Sequence, residues 1–167
     1  MDTPLLDRLH AAREGLAATR RRVEAGAPWP MAAVYDDSDE ARWGPGEVLA
    51  HLAEMAQYWL GEIERVLDGP SDPVPFGRIA TDQVRIGVVG RDRSLPPREL
   101  YDRIDDALTR FDRRWRGLGE ADLARRGVHP TRGELGVAEM PDRFIVGHLA
   151  DHVSQLERIL AGTDTAG

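Results

Sequence analysis

The stretch FIVGHLADHVSQLERIL at residues 144–160 repeats apolar residues at helical spacing and carries two histidines. Apolar residues at every third or fourth position form one buried face of an amphipathic helix. Extended back to residue 140, this face consists of Met140, Phe144, Ile145, Leu149, Val153, Leu156 and Leu160. His148 and His152 fall in the same arc. The pattern therefore predicts a helix that presents both histidines toward the protein interior.

Three further segments have the same periodicity and predict three more helices. The first begins after DTP and ends near Gly26, the second runs from about Pro45 to DGPSDP, and the third runs from SLPPREL to RGLGE. Proline and glycine at these positions are typical signals for the start and the end of a helix. Four helices of about 20 residues, each about 30 Å long, without a convincing strand between them, predict an all-α four-helix bundle.

A long connector, residues 69–95, separates the second and third predicted helices. Its glycines and prolines interrupt the pattern, and its piece IATDQVRIGVV fits a short helix or a strand. A connection of this length is unusual in a compact bundle and is typical of a functional segment or of a crossover between parallel helices. We therefore expect a long crossover connection between helices 2 and 3 of the bundle.

Composition restricts the class of protein. A chain of 167 residues fits one domain, expected over residues 1–162, followed by a disordered tail over residues 163–167. No apolar run approaches the roughly 20 residues of a membrane span, and the start MDTPLLDRLHAAR does not resemble a secretory signal, so we expect a cytoplasmic protein. The net charge of -7 disfavours nucleic acid as a partner because a phosphate backbone would be repelled.

The histidines are the strongest candidates for a functional site. The chain contains no cysteine, which leaves imidazole and carboxylate as metal ligands. His148 and His152 are four positions apart, where Cβ atoms on a helix lie about 5–6 Å from one another, so both rings can reach a common point. His51 lies beside the apolar stripe of the second helix and can supply a third ligand.

Two interpretations of these histidines stay open. Three histidines buried without a metal would need several polar partners, at a cost of about 1–3 kcal/mol for each unsatisfied group, which favours a metal site. In the alternative interpretation the histidines are core residues that are hydrogen-bonded to their neighbours in an apo bundle. The spacing alone does not separate the two.

The segments WGPGEVLAHLAEMAQYW, residues 43–59, and GVHPTRGELGVAEMPDRFIVGHLADHVSQLERIL, residues 127–160, are similar to a known family. The chain resembles the DinB/YfiT-like superfamily of metal-binding four-helix bundles, which includes mycothiol- and bacillithiol-dependent transferases, maleylpyruvate isomerases and metal hydrolases. The resemblance implies that His51, His148 and His152 form the metal triad of the family. Ser154 stands where oxygen-activating relatives have the glutamate of an HxxxHxE pattern, which argues against that branch.

Three neutral imidazoles leave one coordination position of a divalent metal, Zn²⁺ or Ni²⁺, open for water or substrate. The metal would make a nucleophile of a bound thiol or water at cellular pH. Together with this chemistry, the resemblance implies a metal-dependent S-transferase or isomerase that uses a low-molecular-weight thiol of the mycothiol type as co-substrate. A metal-dependent hydrolase and a non-catalytic metal-binding or small-molecule-binding stress-response module are the alternatives.

Other residues are candidates for supporting roles. Glu47 and Gln155 point inward and can orient a ligand histidine through its second ring nitrogen. Arg78 and Arg85 in the connector can pair with a carboxylate of a small-molecule substrate, although a solvent-exposed position is the commoner role for such arginines. His129, which precedes a proline, is expected to be structural. A homodimer is plausible for this fold, but no apolar surface stripe identifies its interface.

Overall fold

A computed structural model describes residues 3–164 of the chain. Its helices in chain order are α1 (Thr3–Gly26), α2 (Pro45–Asp68), α3 (Gln83–Asp92), α4 (Pro97–Arg116), α5 (Glu120–Leu123) and α6 (Gly147–Asp164). The long helices α1, α2, α4 and α6 form a four-helix bundle, so the predicted fold class is confirmed. Of the tail expected over residues 163–167, residues 163 and 164 belong to α6, and residues 165–167 lie outside the described part.

The bundle pairs each of α1 and α2 with both α4 and α6. Arg93, just before α4, forms an ion pair of 2.9 Å with Glu47 near the start of α2. At the opposite ends of these helices, Arg114 lies 3.7 Å from Asp68. Helices α2 and α4 are therefore parallel, and the connector between them is a crossover.

Within the connector, the ambiguous piece IATDQVRIGVV contributes to helix α3. Its first turn is capped by Asp82, whose carboxylate accepts a hydrogen bond of 2.8 Å from the backbone N–H of Arg85. This bond satisfies one of the N–H groups that the start of a helix leaves without an intrahelical partner. The cap explains why a segment of mixed periodicity becomes helical.

The expectation that no strands occur is wrong in one region. The strands β1 (Val74–Pro75), β2 (Arg126–His129) and β3 (Gly133–Gly136) form a small sheet in which β1 pairs parallel with β2, and β2 pairs antiparallel with β3. Strands of two to four residues are too short to show a readable alternation of apolar and polar side chains. The sheet places His129, the last residue of β2, next to Trp59 of α2 and next to Phe144 just before α6.

The apolar stripes that define the helices form a single core. The stripe of α6 and the turn before it is buried throughout, from Met140 to Leu160. Val48, Leu52 and Met55 of α2, on either side of His51, are 0–2% exposed. Among the described residues, no helix combines the length and the apolar character that a membrane crossing requires.

Candidate metal centre

The structure brings the three predicted histidines together between α2 and α6. The Nε2 atom of His148 lies 2.7 Å from Nε2 of His51 and 3.2 Å from Nε2 of His152. One ring nitrogen of each histidine lies within 4.8 Å of the other two. His51 and His152 are buried and His148 is half-buried, so the cluster has one partly accessible side.

An unusual helical turn leads into the segment that carries two of these histidines. Residues Asp142–Val146 are π-helical, and the backbone N–H of Gly147 donates to the carbonyl of Asp142. Helix α6 continues directly from this turn. Single π-helical turns inside helices are rare and are frequent at functional sites. The turn places Phe144 and His148 on the wall of one pocket.

The orientation of His152 is fixed by a chain of hydrogen bonds. Its Nδ1 lies 2.7 Å from Oε1 of Gln155, and Nε2 of Gln155 donates to the backbone carbonyl of Glu40 over 2.7 Å. Because the amide of Gln155 uses its N–H to reach Glu40, its oxygen accepts a proton from His152. His152 therefore carries its proton on Nδ1, and the lone pair of Nε2 points into the cluster. Gln155 thus contacts the ring nitrogen of His152 that faces away from the cluster.

Trp43 covers the two buried histidines. The centroid of its ring system lies 5.3 Å from that of His51 and 6.2 Å from that of His152, with which it is stacked at 11°. Its indole N–H donates to the carbonyl of Asp36 over 3.0 Å, which fixes the ring, and Trp43 is 5% exposed. Sequence reasoning missed the contact of this tryptophan with the histidines. The sequence offered one indication of this contact, because Trp43 lies just before α2, the helix that carries His51.

The surroundings of the cluster lower the pKa of two of its imidazoles, those of His51 and His148. Burial, followed by the neighbouring His148 and His152, holds the pKa of His51 well below its usual value. Burial and then the charge that His152 would carry lower the pKa of His148 to about 4. The buried Nδ1 of His51 has no hydrogen-bond partner among the described residues. Three converging imidazole nitrogens, in a chain without cysteine, are a ligand set that fits a divalent transition metal.

A pocket of about 270 Å³ opens beside the cluster and includes His51 and His148 in its wall. Its opposite wall is aromatic, because Trp59 stacks on Phe144 with ring centroids 4.1 Å apart. His129 continues this stack at 5.5 Å from Phe144. The pocket therefore connects an apolar aromatic surface with two of the three histidines.

Arg78 and Arg85 line this pocket, and their side chains are 11% and 10% exposed, in contrast to the solvent-exposed position that is commoner for such arginines. Arg78 is bound by both oxygens of Glu54 at 2.6 and 2.5 Å. Arg85 donates to a carboxylate oxygen of Asp37 over 2.8 Å. Since protein carboxylates already occupy both guanidinium groups, the prediction that they pair with a substrate carboxylate is not supported.

Glu47 is buried, as its inward position predicted, but the structure gives it other partners than a histidine. One carboxylate oxygen accepts from the backbone N–H of Gly44 over 3.1 Å, and the other pairs with Arg93 at 2.9 Å. This arrangement caps the start of α2 and joins it to the crossover. The prediction that Glu47 orients a ligand histidine is therefore replaced by a structural role.

His129 stays outside the cluster. Its Nδ1 accepts a hydrogen bond of 3.2 Å from the backbone N–H of Thr131. Burial lowers the pKa of His129, the charge of Arg132 lowers it further, and a hydrogen bond to the backbone of Arg78 acts in the opposite direction. The ring of His129 is held by backbone groups and forms part of the pocket wall, which is a structural role of the kind expected for it.

Comparisons with known proteins agree with this fold. The sequence profile of the DinB superfamily matches residues 7–156. YfiT from Bacillus subtilis, described as a probable metal-dependent hydrolase with an unusual four-helix bundle topology, superposes with a TM-score of 0.65 at 17% identity, over 96% of this chain and 90% of that chain. A mycothiol-dependent maleylpyruvate isomerase superposes with a TM-score of 0.63 at 17% identity, over 93% of this chain.

The chain spans 61% of the length of that isomerase. No curated protein matches the chain in sequence. At 17% identity, the two structural similarities establish a common fold.

Proposed function

The chain belongs to the DinB superfamily, and we propose that it is a metal-dependent enzyme in which His51, His148 and His152 hold one divalent cation. The observation that carries this proposal is the convergence of one nitrogen from each histidine within 4.8 Å. Three protein ligands are typical of catalytic sites, which keep a further coordination position for water or substrate. Zn²⁺ and Ni²⁺ are the ions we expect, because both accept imidazole ligands.

When bound, the cation would lower the pKa of a thiol or a water molecule at its open position toward neutrality. The residues of the chain prepare the site for this chemistry. Gln155 keeps the Nε2 lone pair of His152 directed into the cluster. Burial keeps the pKa of His51 and His148 low, so both rings stay neutral and able to donate a lone pair near pH 7. Trp43 packs against the buried side of the cluster.

We propose that the nucleophile is a low-molecular-weight thiol, used for S-transfer or isomerisation of a small molecule. The chain has no cysteine, so any thiol must come from another molecule. The fold that the chain shares with a mycothiol-dependent isomerase supports this choice. The pocket of about 270 Å³ beside His148 is large enough for a small molecule that reaches the cluster.

Hydrolysis is the second candidate. The similarity to YfiT favours it. The match covers 90% of the YfiT chain but 61% of the isomerase chain. In a hydrolase the same pocket would admit a carbonyl substrate, and water would replace the thiol as nucleophile. The two reactions are distinguished by their need for an added thiol.

Metal analysis tests the shared premise. Purified protein, stripped with a chelator and then loaded with Zn²⁺ or Ni²⁺, should retain about one equivalent after gel filtration. His148→Ala should abolish retention, whereas His10→Ala should not, because His10 lies on α1 with an exposed side chain. Full retention of metal by His148→Ala would falsify the proposed site.

An activity screen then separates the two reactions. Conjugation of a small thiol to a chromogenic electrophile should require both the thiol and the metal-loaded protein, and should be lost in His51→Ala. Hydrolysis of a chromogenic ester without thiol, with the same loss in His51→Ala, would favour the second candidate. Thiol-dependent turnover that His51→Ala leaves intact would contradict the proposal.

A further inference from the structure

Two arginines at the pocket beside the histidine cluster have no carboxylate partner. Arg132 and Arg143 line the same pocket as His51 and His148, and both are exposed. Among residues 3–164, no carboxylate lies within ion-pair distance of either guanidinium group. Both positive charges are therefore available to a molecule that enters the pocket.

The other arginines of this pocket differ in that respect. Arg78 is neutralised by Glu54, and Arg85 is neutralised by Asp37, with Glu40 at 3.7 Å as a further acid. Glu40 is the acidic residue that lines the pocket, and it lies on the side of Arg85. The pocket thus has excess positive charge on a protein whose net charge is -7. Such a local excess in a concave site attracts and orients an anion.

The position of Arg132 adds a second constraint on the ligand. Its guanidinium carbon lies 5.7 Å from the centroid of the Phe144 ring, and Phe144 stacks on Trp59. A molecule held by Arg132 therefore has an aromatic surface next to its charged group. A planar guanidinium binds carboxylate through two parallel hydrogen bonds, and the aromatic wall favours a flat apolar group beside that carboxylate.

We propose that Arg132 and Arg143 bind the carboxylate of a small substrate with a flat apolar portion, which lies against Trp59 and Phe144. Binding of the carboxylate by the two arginines is independent of metal. The orientation of the other end of the substrate toward His51 and His148 rests on the proposed function. This assignment replaces the role that the sequence suggested for Arg78 and Arg85.

Fluorine NMR titrations with 4-fluorobenzoate and its neutral analogue 4-fluorobenzamide test the carboxylate site on chelator-treated protein. We expect wild type to bind 4-fluorobenzoate at least tenfold more tightly than 4-fluorobenzamide. Arg132→Gln and Arg143→Gln should each weaken 4-fluorobenzoate about tenfold and leave 4-fluorobenzamide unchanged. Arg21→Gln is the matched control, because it removes one exposed positive charge from α1 without touching the pocket.

Equal affinity for the two probes, or unchanged affinity in both pocket variants, would overturn the inference. His152→Ala separates it from the metal proposal, since this variant removes a proposed ligand that is not part of the pocket wall and keeps both arginines. Binding of 4-fluorobenzoate should persist in His152→Ala. If that binding persists but Zn²⁺ fails to tighten 4-mercaptobenzoate on wild type, the arginine site stands and the proposed thiol chemistry at the metal is contradicted.

Discussion

Gln155 accepts a hydrogen bond from Nδ1 of His152 over 2.7 Å, and its own amide is held by the carbonyl of Glu40 at 2.7 Å. Glu40 belongs to a short 3-10 turn before α2, whereas His152 lies on α6. The protonation state of one ring nitrogen in the cluster is therefore set by a segment remote in sequence. This relationship makes the role of Gln155 testable apart from that of the histidines.

Replacing Gln155 by leucine should weaken metal binding without removing a ligand. The substitution leaves Nδ1 of His152 without its acceptor, and loss of such partners typically costs about 10- to 100-fold in metal affinity. Gln155→Glu should retain more affinity than Gln155→Leu, because its carboxylate still accepts the proton although it loses the hydrogen bond to the carbonyl of Glu40. Competition with a chromogenic chelator measures both variants. Ser154→Ala, an exposed neighbour on the same helix, is the control, and equal affinities for Gln155→Leu and this control would contradict the prediction.

Metal-free protein should lose stability as the pH falls from about 6.5 to about 4. The pKa of His148 is lowered to about 4 in the folded state, so the unfolded chain binds a proton that the folded chain rejects. Stability from this group is complete above the unfolded pKa of about 6.5 and decreases until the folded pKa is reached. The lowered pKa of His51 acts in the same direction.

Urea unfolding in the presence of a chelator, at pH 7.5 and at pH 4.5, measures this loss. For His148 it amounts to up to about 3 kcal/mol. His148→Gln should lose less stability than wild type over the same interval. A pH dependence that is identical in wild type and His148→Gln would be evidence against the low pKa.

The meeting of the histidines could be predicted because each belongs to a periodic helix. His148 and His152 lie in the arc that Leu149 and Val153 define, and His51 lies beside Leu52, so burial of the stripes brought the rings inward. Helix periodicity specifies which face is buried even when the neighbouring helix is unknown. The three rings then meet because α2, which carries His51, packs against α6, which carries His148 and His152.

The surroundings of the cluster could not be predicted in the same way. The ion pair between Arg78 and Glu54 joins positions 24 apart, and that between Arg85 and Asp37 joins positions 48 apart. These partners are chosen by the path of the crossover, which no local pattern encodes. Trp43 likewise reaches the histidines from a segment without periodicity. Short strands and a π-helical turn also lie below the length at which periodicity is visible.

Breaking the ion pair between Arg78 and Glu54 should destabilise the protein more than replacing both residues. Their side chains are 11% and 10% exposed, so Arg78→Met leaves the carboxylate of Glu54 largely buried without a partner, at a cost of about 3–5 kcal/mol. Glu54→Leu should cost less, because Arg78 keeps Asp82 at 4.0 Å, and the double variant should be more stable than Arg78→Met in urea unfolding.

The exposed ion pair between Arg126 and Glu134 is the control for the variants of Arg78 and Glu54. Its side chains are 51% and 45% exposed, so Glu134→Leu should change stability by less than about 1 kcal/mol. Additive losses in the double variant of Arg78 and Glu54 would show that the two charges do not depend on each other. Such additivity would contradict the buried ion pair as the reason for their positions.

Three glycine-to-alanine substitutions should separate backbone strain from steric conflict at the pocket wall. Gly61, in the middle of α2, has open space around an added Cβ, so Gly61→Ala should stabilise the protein by about 0.5–1 kcal/mol. Gly133 has φ of +74° and open space, so Gly133→Ala should cost about 1–2 kcal/mol through its backbone alone.

Gly77→Ala should be the most destabilising of the three. Gly77 has φ of +81°, and an added Cβ would overlap Cδ2 of His129, so a steric conflict adds to the backbone cost. Displacement of His129 should also disturb its stack with Phe144, which shifts the ring resonances of Phe144 in NMR spectra. Thermal unfolding of the three variants should therefore rank Gly61→Ala above wild type, Gly133→Ala below it and Gly77→Ala lowest. If Gly77→Ala and Gly133→Ala lost equal stability, the positive φ of the backbone would account for both losses. Close packing of His129 against residue 77 would then add nothing to the stability of the protein.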